Sequence, residues 1–356
     1  MCEKNFKRFT NFVVLFVIFV KFVEGDNTKF FTLTLEEKLK LDEFRDRISP
    51  ILQHDYMKKE IYLIRFLRQT NFDVHAAERL MENVSSKMFS TSLIIYLFKM
   101  LKWREENEID KLLDEEFPEF DQEYNVYLEG CDPLNRPVLS VPLGDWDIRR
   151  AILAGLGNRL MRYMDKIYED STTFLRNANS AGMEIVQATI IMDMSGFHAI
   201  THTCPRCLQL YLYFLGNLQS HYPGLIEKMY FVNTPEIIHV LWNLYEGVFT
   251  PKLREITTMF GRNKEQWQAR LRDEIGADQL SKRYGGDKPD ALEFYYIRLA
   301  GQLISTPEQL QSVNMTNVCS KDVKIYENLI REVHHEPGSR KGKNFEEWGC
   351  KRKQKV

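Results

Sequence analysis

Several features that would announce a function are missing from these 356 residues. Positive charge is not in excess: 48 Lys and Arg against 50 Asp and Glu leave a formal charge of −2. That excludes a dedicated nucleic-acid binder, whose affinity rests on cations neutralising phosphates. Six cysteines in this length are too few for a disulfide scaffold. No Gly-rich phosphate loop occurs; Gly155 and Gly157 read as helical positions outside a G-x-G-x-x-G frame. No serine sits in a G-x-S-x-G elbow. His198 and His202 are four apart but lack the glutamate of H-E-x-x-H, so no metal site is expected. No apolar run reaches the roughly 20 residues of a membrane span.

Two motifs leave alternatives open. Asp193 ends a strand-like segment, where α/β folds place function, and reads either as a cap for the following turn or as a catalytic acid paired with His198. Cys204-Pro205-Arg206-Cys207 reads as packing, a local disulfide or a redox pair at a helix N-terminus, without the flanking aromatic of a thioredoxin-like site.

What is present is a 44% apolar, nearly neutral chain that can bury a large core and is too apolar to be largely disordered. Its N-terminus carries Lys4, Lys7 and Arg8, an apolar run Phe12 to Val20, and small residues near Gly25. Residues 1–25 therefore read as a signal peptide, with an uncleaved anchor or a buried helix as alternatives. Helical periodicity follows over Leu35–Leu52, Glu60–Arg68 and from Val74. Ser85 to Met100 is β-branched, aromatic and poor in acids, and it separates two charged helical pieces. Strands are expected at Tyr124–Gly130, Pro137–Val141, Ala188–Met194 and Lys228–Asn233. Helices are expected over Arg149–Ala178, Cys204–Tyr222, Ile237–Val248 and Gln266–Ile275. Alternating strands and helices predict a mostly parallel sheet covered by helices, hence an α/β class.

The order of short motifs carries a resemblance. Arg65-Phe66-Leu67-Arg68, Asn71-Phe72-Asp73, Ala77-Glu78 and Trp103-Arg104 precede Gly130-Cys131-Asp132 and Asn135-Arg136-Pro137-Val138. Met192-Asp193-Met194-Ser195-Gly196, Tyr222-Pro223, Tyr230-Phe231-Val232-Asn233-Thr234-Pro235 and Tyr284-Gly285-Gly286 follow. Over residues 35–288 this series resembles the CRAL-TRIO lipid-binding family. The resemblance implies a small all-helical N-terminal domain (33–110, with the unusual insert 85–100) and a lipid-binding domain (116–288). Its sheet would floor an apolar pocket gated by a helix. Residues 289–356 would be a divergent extension ending in a basic tail.

The implied function is non-catalytic binding and transfer of a hydrophobic lipid, with a lipid-regulated signalling or interaction module as the alternative. Expected partners are the lipid and, transiently, a membrane surface, with no nucleic acid, no cofactor, no metal and no catalytic residue; a monomer is expected. Pocket and gate are expected to use Tyr163, Ile190, Met192, Tyr211, Phe214, Phe231, Trp242, Tyr245, Phe249, Ile256 and Phe260. Members holding phosphatidylinositol have a basic residue before the Asn-Phe-Asp-like motif, where this chain has Thr70 and Asn71. They have a carboxylate after Tyr-Pro, here Gly224, and a Thr and a Lys after the gate, here Leu253 and Ile256. A tocopherol-, retinoid- or sterol-like ligand, or a phospholipid held by its tails, is therefore expected. A working signal peptide implies the secretory pathway and gives meaning to the sequons at Asn83 and Asn314; otherwise the location is cytoplasmic with peripheral membrane association.

Overall fold

The computed structural model describes residues 32–69, 72, 92–120, 123–180 and 185–288. The expected signal segment, both sequons, the first part of the insert and the C-terminal extension lie outside the described residues. The chain divides into two compact units, residues 1–63 and 64–356.

In the first unit, helix α1 (Leu35–Ile48) opens on a capping box. Thr34 Oγ1 accepts from the Glu37 amide at 3.2 Å while Glu37 Oε2 accepts from the Thr34 amide at 2.8 Å. Leu41, Phe44 and Ile48, at helical spacing, are buried along with Met57 and Leu63. Lys38 bridges Asp42 and Glu60, each at 2.7 Å.

Helix α2 (Glu60–Gln69) leads into the second unit, and α3 (Ser92–Glu106) absorbs the described part of the insert. Leu97, Met100 and Leu101 are buried, so this part of the insert extends a helix and packs one of its faces.

Five strands form one sheet in the order β1 (Tyr127–Cys131), β2 (Pro137–Val141), β3 (Ala188–Asp193), β4 (Ile226–Val232) and β5 (Thr257–Met259). β1 and β2 are an antiparallel hairpin; β2 through β5 are parallel. The sheet is thus mostly parallel, as the alternation of strands and helices predicts. The near-continuous apolar runs in β3 and β4 reflect burial on both faces. Leu139, Ile190, Met192 and Phe231 belong to a large core on one face. Val138, Ile191, Tyr230 and Val232 pack on the other with Trp267, Leu271 and Tyr284.

The helix expected over Arg149–Ala178 is two helices. α4 (Ile148–Leu153) starts on Asp147, whose carboxylate accepts from the Arg150 amide at 2.9 Å. It ends where Gly155 adopts φ +77. The Leu156 amide then reaches the Ala151 carbonyl at 2.8 Å, the closing bond of a Schellman turn. α5 (Gly157–Ser180) begins immediately after, so neither glycine is a mid-helix residue. The remaining helices are α6 (Ala199–His202), α7 (Pro205–His221), α8 (Glu236–Tyr245, continued by a 3-10 turn to Val248), α9 (Pro251–Ile256) and α10 (Lys264–Glu274).

Candidate functional site

The parallel register aligns Val141, Met192, Phe231 and Met259 as one row across β2 to β5. Met192, Phe231 and Met259 form the floor of an apolar cavity of about 80 Å³. One wall is α7, through Leu208, Tyr211, Leu212 and Leu215, and the cover is α8, through Ile238, Leu241, Trp242 and Tyr245. Both sets have i, i+3, i+4, i+7 spacing, one stripe of each helix. Phe249 closes the end and packs on Trp242 with centroids 4.5 Å apart.

Of the expected pocket and gate residues, the structure brings Met192, Tyr211, Phe214, Phe231, Trp242, Tyr245 and Phe249 to this cavity. Four lie elsewhere. Ile190 is on the same sheet face, one row further from the cavity, aligned with Leu139 and Met229. Tyr163 is buried in the core, its hydroxyl donating to the Tyr124 carbonyl at 3.0 Å. Ile256 packs at the core's edge, and Phe260 packs on the opposite face of the sheet. Strand alternation explains the last: Met259 faces the cavity, so its neighbour in sequence points away. The helical periods 208/211/212/215 and 238/241/242/245 held the signal for the lining residues not anticipated.

The cover helix is unusual. None of its ten residues is fully buried. Its outer face carries Ile237, Val240 and Leu244, followed by Val248 in the next turn, and Val240 and Leu244 are 59% and 70% exposed. A helix apolar on both faces, with one face in water, marks an interaction surface.

Among the described residues, the lining contains no charged side chain. Its polar side-chain atoms are the Tyr211 and Tyr245 hydroxyls and the Trp242 indole; the Tyr211 hydroxyl is buried with no hydrogen-bond partner among the described residues. The positions tied to phosphatidylinositol binding by the resemblance offer no cation where they are described. Leu253 is buried and Ile256 packs at the core's edge. Gly224 sits at φ +67, and a Cβ there would meet the Arg65 stem at 3.3 Å. Thr70 and Asn71 lie outside the described residues.

Asp193 is a turn residue. Its buried carboxylate accepts from the Ser195 amide at 2.9 Å, Asn233 Nδ2 at 2.8 Å and Arg283 Nε at 2.8 Å. His198 and His202 accept backbone amides within α6, and no cluster of metal-binding side chains occurs among the described residues. Cys204 and Cys207 are joined as a disulfide, one of the three readings their spacing allowed.

Behind the cavity wall, two titratable groups oppose each other. Asp165 on α5 accepts from Tyr213 Oη and Asn217 Nδ2 of α7, each at 2.6 Å, and burial pushes its carboxyl up to about 6. His221, stacked on Trp103 with centroids 3.8 Å apart, is held down to about 4 by burial and then by the Arg104 charge. Asp165 stabilises the fold below its ordinary range, and that contribution fades as pH rises through 6. His221 stabilises above 6.5, and its contribution fades as pH falls toward 4. From pH 7 to 5 the two contributions oppose each other. Asp165→Asn removes one arm, and stability should then fall across that window by on the order of 1 kcal/mol. His221→Gln should show the opposite slope. Urea titrations at four pH values read both, and parallel curves for all three chains would refute the pairing.

Residues 121–286 match the CRAL/TRIO domain. The chain is 26% identical over 263 residues to the phosphatidylinositol/phosphatidylcholine transfer protein SFH4 of Arabidopsis thaliana, covering 70% of this chain and 39% of that one. It is 24% identical over 261 residues to the SEC14 cytosolic factor of Kluyveromyces lactis, covering 71% and 79%. The crystal structure of Sfh5 superposes with a TM-score of 0.46 at 16% identity, covering 66% of this chain and 84% of that one. The chain thus spans well under half of the Arabidopsis relative and most of the Kluyveromyces one. No helix among the described residues is long and apolar enough to cross a membrane.

Proposed function

We propose, from the premise that the chain belongs to the CRAL/TRIO family through residues 121–286, that it binds one apolar lipid in the sheet-floored cavity and transfers it between membranes. The observation that carries this reading is a charge-free apolar cavity closed by a helix that is apolar on both faces. Each buried methylene of a lipid contributes about 0.8 kcal/mol, a gain realised only in a site closed to water. A 150 Å³ apolar cavity holds a single benzene. A cavity of about 80 Å³ therefore admits a lipid only if its cover moves. α8 is the element suited to move, because most of the rest of the lining belongs to the sheet and to α7, whereas α8 buries no residue fully. Its outer apolar face would meet the bilayer while its inner face releases the cavity.

The ligand class follows from the lining. The carboxylate, Thr and Lys that the resemblance ties to an inositol-phosphate headgroup are replaced here by Gly224, Leu253 and Ile256, none of which offers a polar side chain. The relatives named for phosphatidylinositol and phosphatidylcholine support lipid transfer in general. The lining favours a lipid with one small polar group, of the tocopherol, retinoid or sterol kind, or a phospholipid held through its tails. Organic extraction of the purified full-length chain followed by mass spectrometry tests this. One neutral lipid, or one phosphatidylcholine, per chain is expected; stoichiometric phosphatidylinositol would overturn the ligand assignment.

A further inference from the structure

The Cys204–Cys207 disulfide is not used by lipid binding, and its surroundings give it a chemistry of its own. Cys204 is the N-cap of the 17-residue helix α7, with Pro205 in the first turn. It lines a surface cleft of about 860 Å³ between α4 and the start of α7. Cys207 is fully buried behind it. The pair therefore has one sulfur open to the cleft and one shielded.

Both sulfurs also have partners waiting in the reduced state. The Cys207 amide lies 3.1 Å from Cys204 Sγ, so a Cys204 thiolate would accept that N–H as a cap and sit at the positive end of the helix. The Thr201 carbonyl lies 3.7 Å from Cys207 Sγ, positioned to accept from a Cys207 thiol. A pair with partners in both redox states can cycle without unfolding its surroundings. Among the described residues, the charged side chains lining the cleft are Arg149 and Arg206. Arg149 is held by donating to the Ile200 carbonyl at 3.0 Å, and Arg206 is exposed between the two cysteines.

We propose that this cleft is a thiol–disulfide exchange site for an anionic low-molecular-weight thiol, with Cys204 as the sulfur that forms the mixed disulfide. The incoming thiolate attacks Cys204 Sγ. The Cys204–Cys207 bond breaks, Cys207 leaves with the electron pair and takes a proton from water, and a Cys204 mixed disulfide remains. A second thiolate attacks the small-molecule sulfur of that mixed disulfide. It leaves as the oxidised dimer, and Cys204 departs as thiolate. Two thiols are oxidised to one disulfide, and one protein disulfide is reduced to two thiols. Arg149 and Arg206 draw in the anionic thiol and hold its carboxylates beside Cys204.

Glutathione, which carries carboxylates, and 2-mercaptoethanol, which carries none, are the probes. With the full-length wild-type chain, the rate with glutathione relative to 2-mercaptoethanol, each corrected for its thiolate fraction, should fall with added salt. In an Arg149→Gln/Arg206→Glu chain that ratio should fall by about tenfold or more. Normalising to the neutral thiol removes any change in the intrinsic reactivity of the pair. Oxidised glutathione added to a Cys207→Ser chain should leave one glutathione on Cys204, located by peptide mass spectrometry. A salt-independent ratio in the wild type, an unchanged ratio in the arginine variant, or no adduct on Cys204 would each overturn the assignment. The readouts are independent of lipid content, so they stand whether or not the lipid-transfer reading does.

Discussion

A chain carrying Val240→Asp and Leu244→Asp is expected to keep its lipid and lose its ability to deliver it. Both side chains stand on the outer face of α8, 59% and 70% exposed, and neither lines the cavity. The fold should therefore accept the change with little loss of stability. At a bilayer the native pair would leave water, each contributing about 2 kcal/mol, and aspartates forfeit that gain and resist burial. Two such losses correspond to a fall in vesicle association of about two to three orders of magnitude. Co-sedimentation with vesicles and transfer of a fluorescent lipid between donor and acceptor vesicles measure it.

The complementary change is Leu212→Trp, which puts an indole in place of an isobutyl group in the cavity wall. That chain should still associate with vesicles but carry little lipid. The opposite phenotypes separate docking from holding. Undiminished transfer by the aspartate chain would remove α8 from the docking role.

The sequence motifs turn out to be structural devices, and this explains what was legible. Asn135 and Asn233 take positive φ, 58° and 56°, which asparagine tolerates. Asp132 accepts from the Leu134 and Arg136 amides and pairs with Arg136 Nε at 2.7 Å, locking the β1–β2 turn. Asn233 and Arg283 converge on Asp193, so three motifs far apart in sequence meet at one carboxylate. Gly286 is required because a Cβ would fall 2.0 Å from the Leu280 carbonyl. Such constraints leave fixed residue types at fixed spacings, and the sheet and its helices could be read from them.

The cavity was less legible. Leu, Met, Phe and Ile look alike whether they line a cavity or fill a core. Ile190 and Met192 differ by one row on the same strand face, and only the placement of α7 and α8 decides which one meets open space. The break at Gly155 is hard to read from sequence for a related reason: Leu156 continues the apolar pattern through it, and the turn announces itself only in the backbone conformation.

Replacing Arg104 by Ala is expected to cost about 3–5 kcal/mol. The Arg104 side chain is 7% exposed. Its Nη1 donates to Glu169 at 2.6 Å and its Nη2 to Asp110 at 2.5 Å. Glu169 is itself buried on α5, one turn from Asp165 and adjacent to Asp170, with Lys166 the cation among them. Without Arg104 the carboxylate is stranded in a crowded acidic stretch, and desolvation is no longer offset. The loss is comparable to much of the 5–15 kcal/mol that holds a typical domain together.

Arg104→Met should fare little better, since it restores packing but not charge, whereas Arg104→Met with Glu169→Gln should recover a good part of the loss. The non-additivity of that double substitution, read from urea unfolding, is the direct measure of the pair. His221 supplies a local witness. Part of what holds it down to about 4 is the Arg104 charge, so its NMR titration should move upward in Arg104→Met. A cost below about 1 kcal/mol for Arg104→Ala would mean that water reaches Glu169. The Trp103-Arg104 motif would then owe its place to the Trp103–His221 stack alone.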